Sequence, residues 1–347
     1  MKPASMGTLA SLVTLALLLA CEGGSGRLPS EPDAGIAAHR ARDRSQPRFS
    51  DWSAPVNLGP VVNSASTDIE VSISKDGLSL YLASNRPGGF GGFDIWVSRR
   101  AGENDPWGTP QNLGPGINTG FNDQAPALTS DGHSLYFFSN RPGGFGGNDI
   151  YVSRRSHKRD DFGWEPPVNL GSGVNSAFND QLPAYFKDGE TETVTLFFNS
   201  NRPGGPGGTD IYASTLQSDG TFDPAMLVPE LNSPLRDAGM AIRRDGLEIV
   251  LGSDRPGTLG LFDLWVATRP STSDPWSAPV NLGAVVNTAD DEGRSGLSFD
   301  GTTLYIISGR PGGFGNQDLW VSTCGRLSHD HDDEDDGEDD DRRRGRR

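Results

Sequence analysis

The sequence predicts an all-β protein, a β-propeller of five four-stranded blades. The first observation is a segment, SNRPGGFGGFDIWVSRR at residues 84–100, that returns four more times down the chain. The second is the spacing of its arginine, with intervals of 55, 61, 53 and 55 residues between Arg86, Arg141, Arg202, Arg255 and Arg310. A period of about fifty residues with several β-type runs per copy is typical of propeller blades, which bury their faces only against neighbouring blades.

Each copy contains four short β-type runs in a fixed order. In the second copy the first three are residues 125–129, 135–139 and 149–153, and the fourth belongs to a segment that opens with a tryptophan. An Asp-Gly pair at 131–132 separates the first two runs, as a tight hairpin turn with positive φ requires. The aromatic and aliphatic run after the turn suits a strand packed between adjacent blades.

The third observation is the way the chain begins and ends. The repeats begin with a Trp segment at 52–59 and end with DLWVST at 318–323, so the last copy lacks its own fourth strand. We therefore expect the N-terminal strand to complete the fifth blade by pairing alongside 319–322. Such closure removes the free edge that an open array would expose.

An arginine and an aspartate flank the glycine-rich loop of every copy. We predict that they form a charge-assisted pair that closes the loop. The pairs are Arg86 with Asp94, Arg141 with Asp149, Arg202 with Asp210, Arg255 with Asp263, and Arg310 with Asp318.

The repeats resemble the PD40 family of WD40-like propellers, which includes the propeller of TolB. The matching motifs are SxDGxxLYF-like, SNRPGGxGGxDIW and NLGxxVN, and they cover residues 52–323. The resemblance implies an envelope-associated, non-catalytic binding protein. TolB has an additional N-terminal domain and usually six blades, so its particular partners are not implied.

A second set of acids follows each NLGxxVN segment, namely Asp68, Asp123, Asp180, Asp237 and Glu292. They lead into the innermost strand of each blade, so we expect them at one mouth of the central channel. Five carboxylates around one axis would attract a divalent cation. Alternatively, each carboxylate caps backbone N–H groups of its own turn.

The repeats differ from one another beside these acids. The odd members are Phe121, Phe178, Arg236, Asp290 and Asp291. An exposed pair of phenylalanines beside acids suits contact with a peptide or a glycan.

Two classes of function follow from these features. The main prediction is a non-catalytic module that binds or scaffolds an envelope protein, a peptide or a glycan, without a cofactor and as a monomer. The alternative is a carbohydrate-active enzyme of the glycoside-hydrolase kind that uses the channel carboxylates. It needs two acids in unlike roles, whereas the repeat makes these acids nearly equivalent. The net charge of −16 argues against a nucleic-acid partner.

The chain termini differ in composition from the repeats. Residues 1–20 have one lysine and a short apolar run, which is typical of a signal peptide, and Cys21 follows as in a bacterial lipobox. We therefore predict lipidation at Cys21, a flexible tether over 21–50, the propeller over 51–325 and a disordered charged tail over 326–347. The expected location is the cell envelope, at the outer membrane.

Overall fold

The computed structural model describes residues 48–327, and it is a five-bladed β-propeller, as predicted. Four strands build each blade, in antiparallel order from the axis outwards. The signal peptide, Cys21, and most of the predicted tether and tail lie outside the described residues. No helix in this part of the chain is long and apolar enough to span a bilayer.

The strands follow one another along the chain with the same order in every blade. The N-terminal strands are β1 (Arg48–Phe49) and β2 (Val56–Asn57). Blade 1 holds β3 (Asp68–Ile73), β4 (Ser79–Ser84), β5 (Asp94–Arg99) and β6 (Gln111–Asn112). Blade 2 holds β7 (Asp123–Leu128), β8 (Ser134–Ser139), β9 (Asp149–Arg154) and β10 (Val168–Asn169). Blade 3 holds β11 (Asp180–Lys187), β12 (Val194–Ser200), β13 (Asp210–Thr215) and β14 (Met226–Leu227).

A single turn of 3-10 helix, Pro229–Leu231, leads into the fourth blade. Blade 4 holds β15 (Asp237–Ile242), β16 (Glu248–Ser253), β17 (Asp263–Thr268) and β18 (Val280–Asn281). Blade 5 holds β19 (Arg294–Leu297), β20 (Thr303–Ser308) and β21 (Asp318–Thr323), and a terminal strand β22 (Arg326–Leu327) follows.

The N-terminal strand completes blade 5, as the sequence predicts. Strand β2 pairs with β21, with Val56 opposite Val321 and Asn57 opposite Trp320. A second pair, β1 with β22, joins the two ends of the described chain just outside the predicted limits of the domain. The buried Phe49 extends this closure into the hydrophobic core. Segments near both ends of the described chain therefore close the ring.

The core lies between the blades. Strand β4 of blade 1 contributes Tyr81, which packs in one cluster with Leu135, Phe137 and Trp164 of blade 2. The aromatic runs are thus inter-blade core, as predicted. The Asp-Gly turns behave as expected in blade 1, where Gly77 has a φ of +68°. Blade 3 differs, because its hairpin is longer and Glu192 takes the positive φ of 61°.

Candidate functional site in the axial channel

The arginine of each blade pairs with a different acid from the one predicted. Arg86 Nη2 lies 2.5 Å from Asp68 Oδ1, and its Nε donates to Ser84 Oγ at 2.8 Å. The predicted pairing of Arg86 with Asp94, and its four repeats, is therefore wrong. The equivalent ion pairs are Arg141–Asp123 at 2.6 Å, Arg202–Asp180 at 2.5 Å, Arg255–Asp237 at 2.6 Å and Arg310–Glu292 at 3.2 Å.

The aspartates of the predicted pairs close the glycine-rich loops in another way. Asp94 accepts the backbone N–H groups of Phe90 at 2.5 Å and Gly91 at 3.3 Å, and the side-chain amide of Asn112 at 3.1 Å. The other four loops show the same kind of backbone contact to Asp149, Asp210, Asp263 and Asp318. In blade 5 the amide comes from Asn57, so the loop aspartate also holds the closing strand.

The five acids at the start of the inner strands do not line an open mouth. Asp68, Asp123, Asp180, Asp237 and Glu292 all have 0% relative exposure. The backbone N–H of Ser64 donates to Asp68 at 2.5 Å, and the other four acids cap their own turns in the same way. The capping interpretation is confirmed. The cation interpretation is wrong, because an arginine already neutralises each carboxylate, and in residues 48–327 no group of three or more potential ligands is placed to hold a metal ion.

The residues that distinguish the inter-blade loops lie on the surface. Phe121 and Phe178 are 43% and 41% exposed. Their loops are tightly held, because a Cβ on Gly91 would lie 1.8 Å from the carbonyl oxygen of Phe121. Arg236 packs over Phe262 and forms an ion pair of 2.8 Å with Asp254. These side chains are not brought together with the buried acids into one site.

The feature that sequence reasoning missed is the residue two positions after each buried acid. At this position the strands bulge, and Glu70, Ala125 and Leu182 adopt φ values of 51°, 54° and 51°. Positive φ at residues other than glycine is uncommon and marks positions held by their surroundings. The five equivalent residues are Glu70, Ala125, Leu182, Gly239 and Arg294. At this position the five blades place five different residues, among them one acid and one base.

Glu70 and Arg294 meet in a narrow neck of the axial channel. Glu70 Oε1 lies 3.2 Å from Arg294 Nε, and Glu70 Oε2 accepts the backbone N–H of Ala125 at 2.7 Å. The neck is lined by Glu70, Val71, Ala125, Pro126, Leu182, Pro183, Gly239, Met240, Arg294 and Ser295. Burial raises the pKa of the Glu70 carboxyl, and the positive charge of Arg294 only partly opposes this.

Glu70 Oε1 and Arg294 Nε are buried and face each other as an ion pair without hydrogen-bond geometry. Ser295 Oγ, in a residue only 8% exposed, has no hydrogen-bond partner among residues 48–327. Buried polar groups in native proteins are almost always hydrogen-bonded, and exceptions concentrate at functional positions. The neck therefore holds a buried carboxyl–guanidinium ion pair and an unpartnered hydroxyl side by side.

The neck opens into a funnel of about 840 Å³ at the end of the propeller that carries the hairpins between the first and second strands. The two spaces share Val71, Pro126, Pro183, Met240 and Ser295 as lining residues. This volume lies within the usual range for small-molecule sites.

The funnel wall mixes aromatic and charged side chains. Tyr185 lines it and stacks on Tyr136, with 5.9 Å between the ring centroids. Most of its carboxylates are engaged: Asp188 accepts the N–H groups of its own turn, Asp245 pairs with Arg243, and Glu192 pairs with Lys187. Such a lining, with a few convergent polar groups at its floor, suits a polar ligand that also has ring faces to pack.

Comparison with known proteins finds the same fold in solved structures of low sequence identity. No model of a known protein family matches the chain, and no curated protein matches it. Among solved structures it is similar to an α-L-arabinofuranosidase from Lactobacillus brevis, at 13% identity and a TM-score of 0.53, over 79% of this chain and 94% of that one.

Two further solved structures are similar to this chain to about the same degree. The catalytic domain of the Coprinopsis cinerea GH62 α-L-arabinofuranosidase matches at 13% identity and a TM-score of 0.51, over 80% of this chain and 98% of that one. An exo-1,5-α-L-arabinanase from a bovine ruminal metagenomic library matches at 14% identity and a TM-score of 0.51, over 77% and 100%. At these identities the likeness shows the shared fold.

The comparison corrects the expectation that the protein is not an enzyme. That expectation followed from the near-equivalence of the five repeated acids and from the PD40 resemblance. The three solved structures above are named as two arabinofuranosidases and an arabinanase, and the repeat is in fact broken at the axis by Glu70 and Arg294. Because the repeated acids are structural, their equivalence gives no argument against catalysis.

Proposed function

We propose that the protein is a carbohydrate-active enzyme of the glycoside-hydrolase type, which admits a glycan into the funnel and acts on it at the axial neck. The observation that carries the proposal is the buried Glu70 in the neck, whose pKa is raised and whose Oε1 contacts Arg294 as an ion pair without hydrogen-bond geometry. The similar solved structures, two of them named as arabinofuranosidases, support a glycan as the substrate.

Glu70 is the proton donor in this proposal. A raised pKa keeps more of the carboxyl protonated near neutral pH, as a general acid requires. The proton passes to the glycosidic oxygen as the bond between that oxygen and the anomeric carbon breaks, so the leaving sugar departs as an alcohol. Water adds to the anomeric carbon, and the proton it releases restores the acid.

Arg294 and Ser295 have supporting roles at the same point. The guanidinium faces the carboxylate that remains after proton transfer, and opposite charges at 3.2 Å favour that anion. The hydroxyl of Ser295 can donate to a sugar oxygen or accept from a sugar hydroxyl.

Glu70 is the one carboxylate among the described residues that line the neck. Most glycoside hydrolases use two carboxylates, whereas substrate-assisted enzymes obtain the second group from the sugar itself. The proposal therefore assigns the proton transfer alone to this chain.

The test is hydrolysis by the purified protein of arabinan, arabinoxylan and aryl α-L-arabinofuranosides. We expect sugar release by the wild type and a loss of about 100-fold or more in Glu70→Gln. Glu230→Gln, which changes an exposed glutamate in the 3-10 turn before blade 4, is the matched control and should keep full activity. Equal rates for wild type and Glu70→Gln, or no release from any substrate, would overturn the proposal.

For location, we propose that the enzyme is lipid-anchored in the cell envelope through Cys21, where it meets glycans outside the cytoplasm. The support is the apolar run that ends at this cysteine. Fractionation of cells that express the wild type and Cys21→Ser tests it. The wild type should sediment with membranes and the variant should not, and identical fractionation would contradict the anchor.

A further inference from the structure

Two cations from different blades lie against one aromatic ring at the rim of the funnel. Lys75 Nζ is 4.7 Å from the ring centroid of Phe299, and Arg244 Cζ is 4.4 Å from it. All three residues line the funnel, and both cations are exposed. Cation–π contacts of this kind hold flexible basic side chains in place.

Neither cation is neutralised by a carboxylate in the described part of the chain. The nearby acids are already engaged, because Asp245 pairs with Arg243 at 2.9 Å, and Asp300 accepts the hydroxyls of Ser298 at 2.6 Å and Thr302 at 2.8 Å. Arg326 also lines this side of the funnel. In a chain of net charge −16, this side of the funnel holds an excess of positive charge.

The opposite side of the funnel has the reverse balance. The long hairpin of blade 3 contributes Asp188, Glu190 and Glu192 against the single cation Lys187. The funnel is therefore electrostatically polarised across its width. A ligand with a negative group on one side and neutral hydroxyls on the other would be oriented by this field.

We propose that Lys75 and Arg244 form a subsite for the carboxylate of a uronic-acid residue, so that the substrate is an acidic glycan. This inference rests on the proposed function and names the substrate class. An arginine and a lysine held together by Phe299 present donors that carboxylate oxygens accept. The sugar ring of the same residue would lie in the funnel, towards the hydroxyl and carboxyl groups of the neck.

The experiment measures binding of α-1,4-trigalacturonate and of its fully methyl-esterified form to the whole protein by calorimetry. The ester has the same sugar rings without the charges. The variant is Lys75→Gln/Arg244→Gln, and Arg154→Gln/Lys158→Gln, which removes two exposed cations outside the funnel lining, is the matched control.

We expect the wild type to bind the acid more tightly than the ester, and the Lys75/Arg244 double variant to lose about tenfold in affinity for the acid. The control should bind both ligands like the wild type. Added salt should weaken the binding of the acid but not the binding of the ester. Equal affinity for acid and ester, or an equal loss in the control, would overturn the subsite.

The outcomes also separate this inference from the proposed function. Binding of the acid without hydrolysis of any glycan would support the subsite and contradict the proposed glycoside-hydrolase function. Hydrolysis that depends on Glu70 but is unchanged in rate by Lys75→Gln/Arg244→Gln, on acidic as well as neutral glycans, would support the enzyme and overturn the subsite.

Discussion

Glu70 is a single carboxyl in a repeat whose other four copies place alanine, leucine, glycine and arginine at the same point. Its surroundings are apolar apart from Arg294 and Ser295, so desolvation dominates its ionisation. A buried carboxyl that is only partly compensated is costly for stability and is retained where it serves a function.

The stability of the protein should therefore depend on pH through Glu70. Its pKa is raised from the ordinary 4.5, so the folded state holds this proton more tightly than the unfolded state does. The contribution to stability is present below the unfolded pKa and is lost as the pH rises through the folded one.

The measurement is urea unfolding of wild type and Glu70→Gln between about pH 4 and about pH 8. We expect the wild type to lose stability relative to the glutamine variant as the pH rises, since glutamine does not titrate. A difference that stays constant over this range would contradict a raised pKa.

The arginine pairing shows what residue spacing alone could not decide. Ser84 pairs across the sheet with Asp68 on one side and with Asp94 on the other, so both acids lie next to the loop that starts at Arg86. The shorter separation along the chain favoured Asp94. The arginine side chain instead turns back over Ser84 towards the innermost strand, where Asp68 is fully buried and needs a countercharge.

At the scale of the element, the feature that matters for the proposed site is a bulge in the inner strand. The pairing register shifts between Ile69 and Val71, and similar shifts occur in blades 2, 3 and 4. A bulge redirects one side chain and breaks the two-residue alternation from which strand faces are predicted. The turns and inter-blade strands could be predicted because their patterns repeat, whereas the neck depends on a local irregularity.

A substitution at Gly239 tests how closely the inner strands approach one another at the axis. Its φ of 56° lies in the left-handed region, which strains a residue that has a side chain. A Cβ at Gly239 would also lie 2.3 Å from the carbonyl oxygen of Gly293. We expect Gly239→Ala to destabilise the protein by about 1 to 3 kcal/mol through backbone strain and overpacking together.

Chemical denaturation measures this loss, and Gly120→Ala is the control, because nothing lies within 4 Å of a Cβ there. An unchanged stability of Gly239→Ala would mean that the strands are not in close contact at the axis.

The closing strand gives a second prediction at this scale. Trp52 precedes β2, is 7% exposed and packs with Trp320 and Leu304 of the same blade. Removing it takes away a buried aromatic and loosens the closure of the ring, so Trp52→Ala should cost about 3 to 5 kcal/mol. Trp107 precedes the outer strand of blade 1 and is only partly buried, so Trp107→Ala should cost less.

Thermal unfolding of the two variants, with hydrogen exchange at the amides of β21, separates packing from closure. Trp52→Ala should speed exchange in β21, and Trp107→Ala should not. Equal stability losses with unchanged exchange in β21 would argue that the N-terminal segment does not close the ring.

At the scale of the whole molecule, five similar blades build a frame, and one exception to the repeat, the Glu70–Arg294 pair, lies on its axis. The repeated acids, arginines and glycines serve each blade internally, whereas the position of Glu70 takes a different residue from each blade. The fold was predictable from the period of the repeats. The site was not, because it becomes visible only when the blades surround one axis and their inner strands are compared position by position.

The pH dependence of kcat/KM for glycan hydrolysis tests the central claim most directly. If Glu70 donates the proton, kcat/KM of the wild type falls as the pH rises through the pKa of that carboxyl. Since Arg294 lowers this pKa, Arg294→Gln should move the fall to higher pH, and Glu70→Gln should show none. The same alkaline fall in wild type and Glu70→Gln would contradict the account.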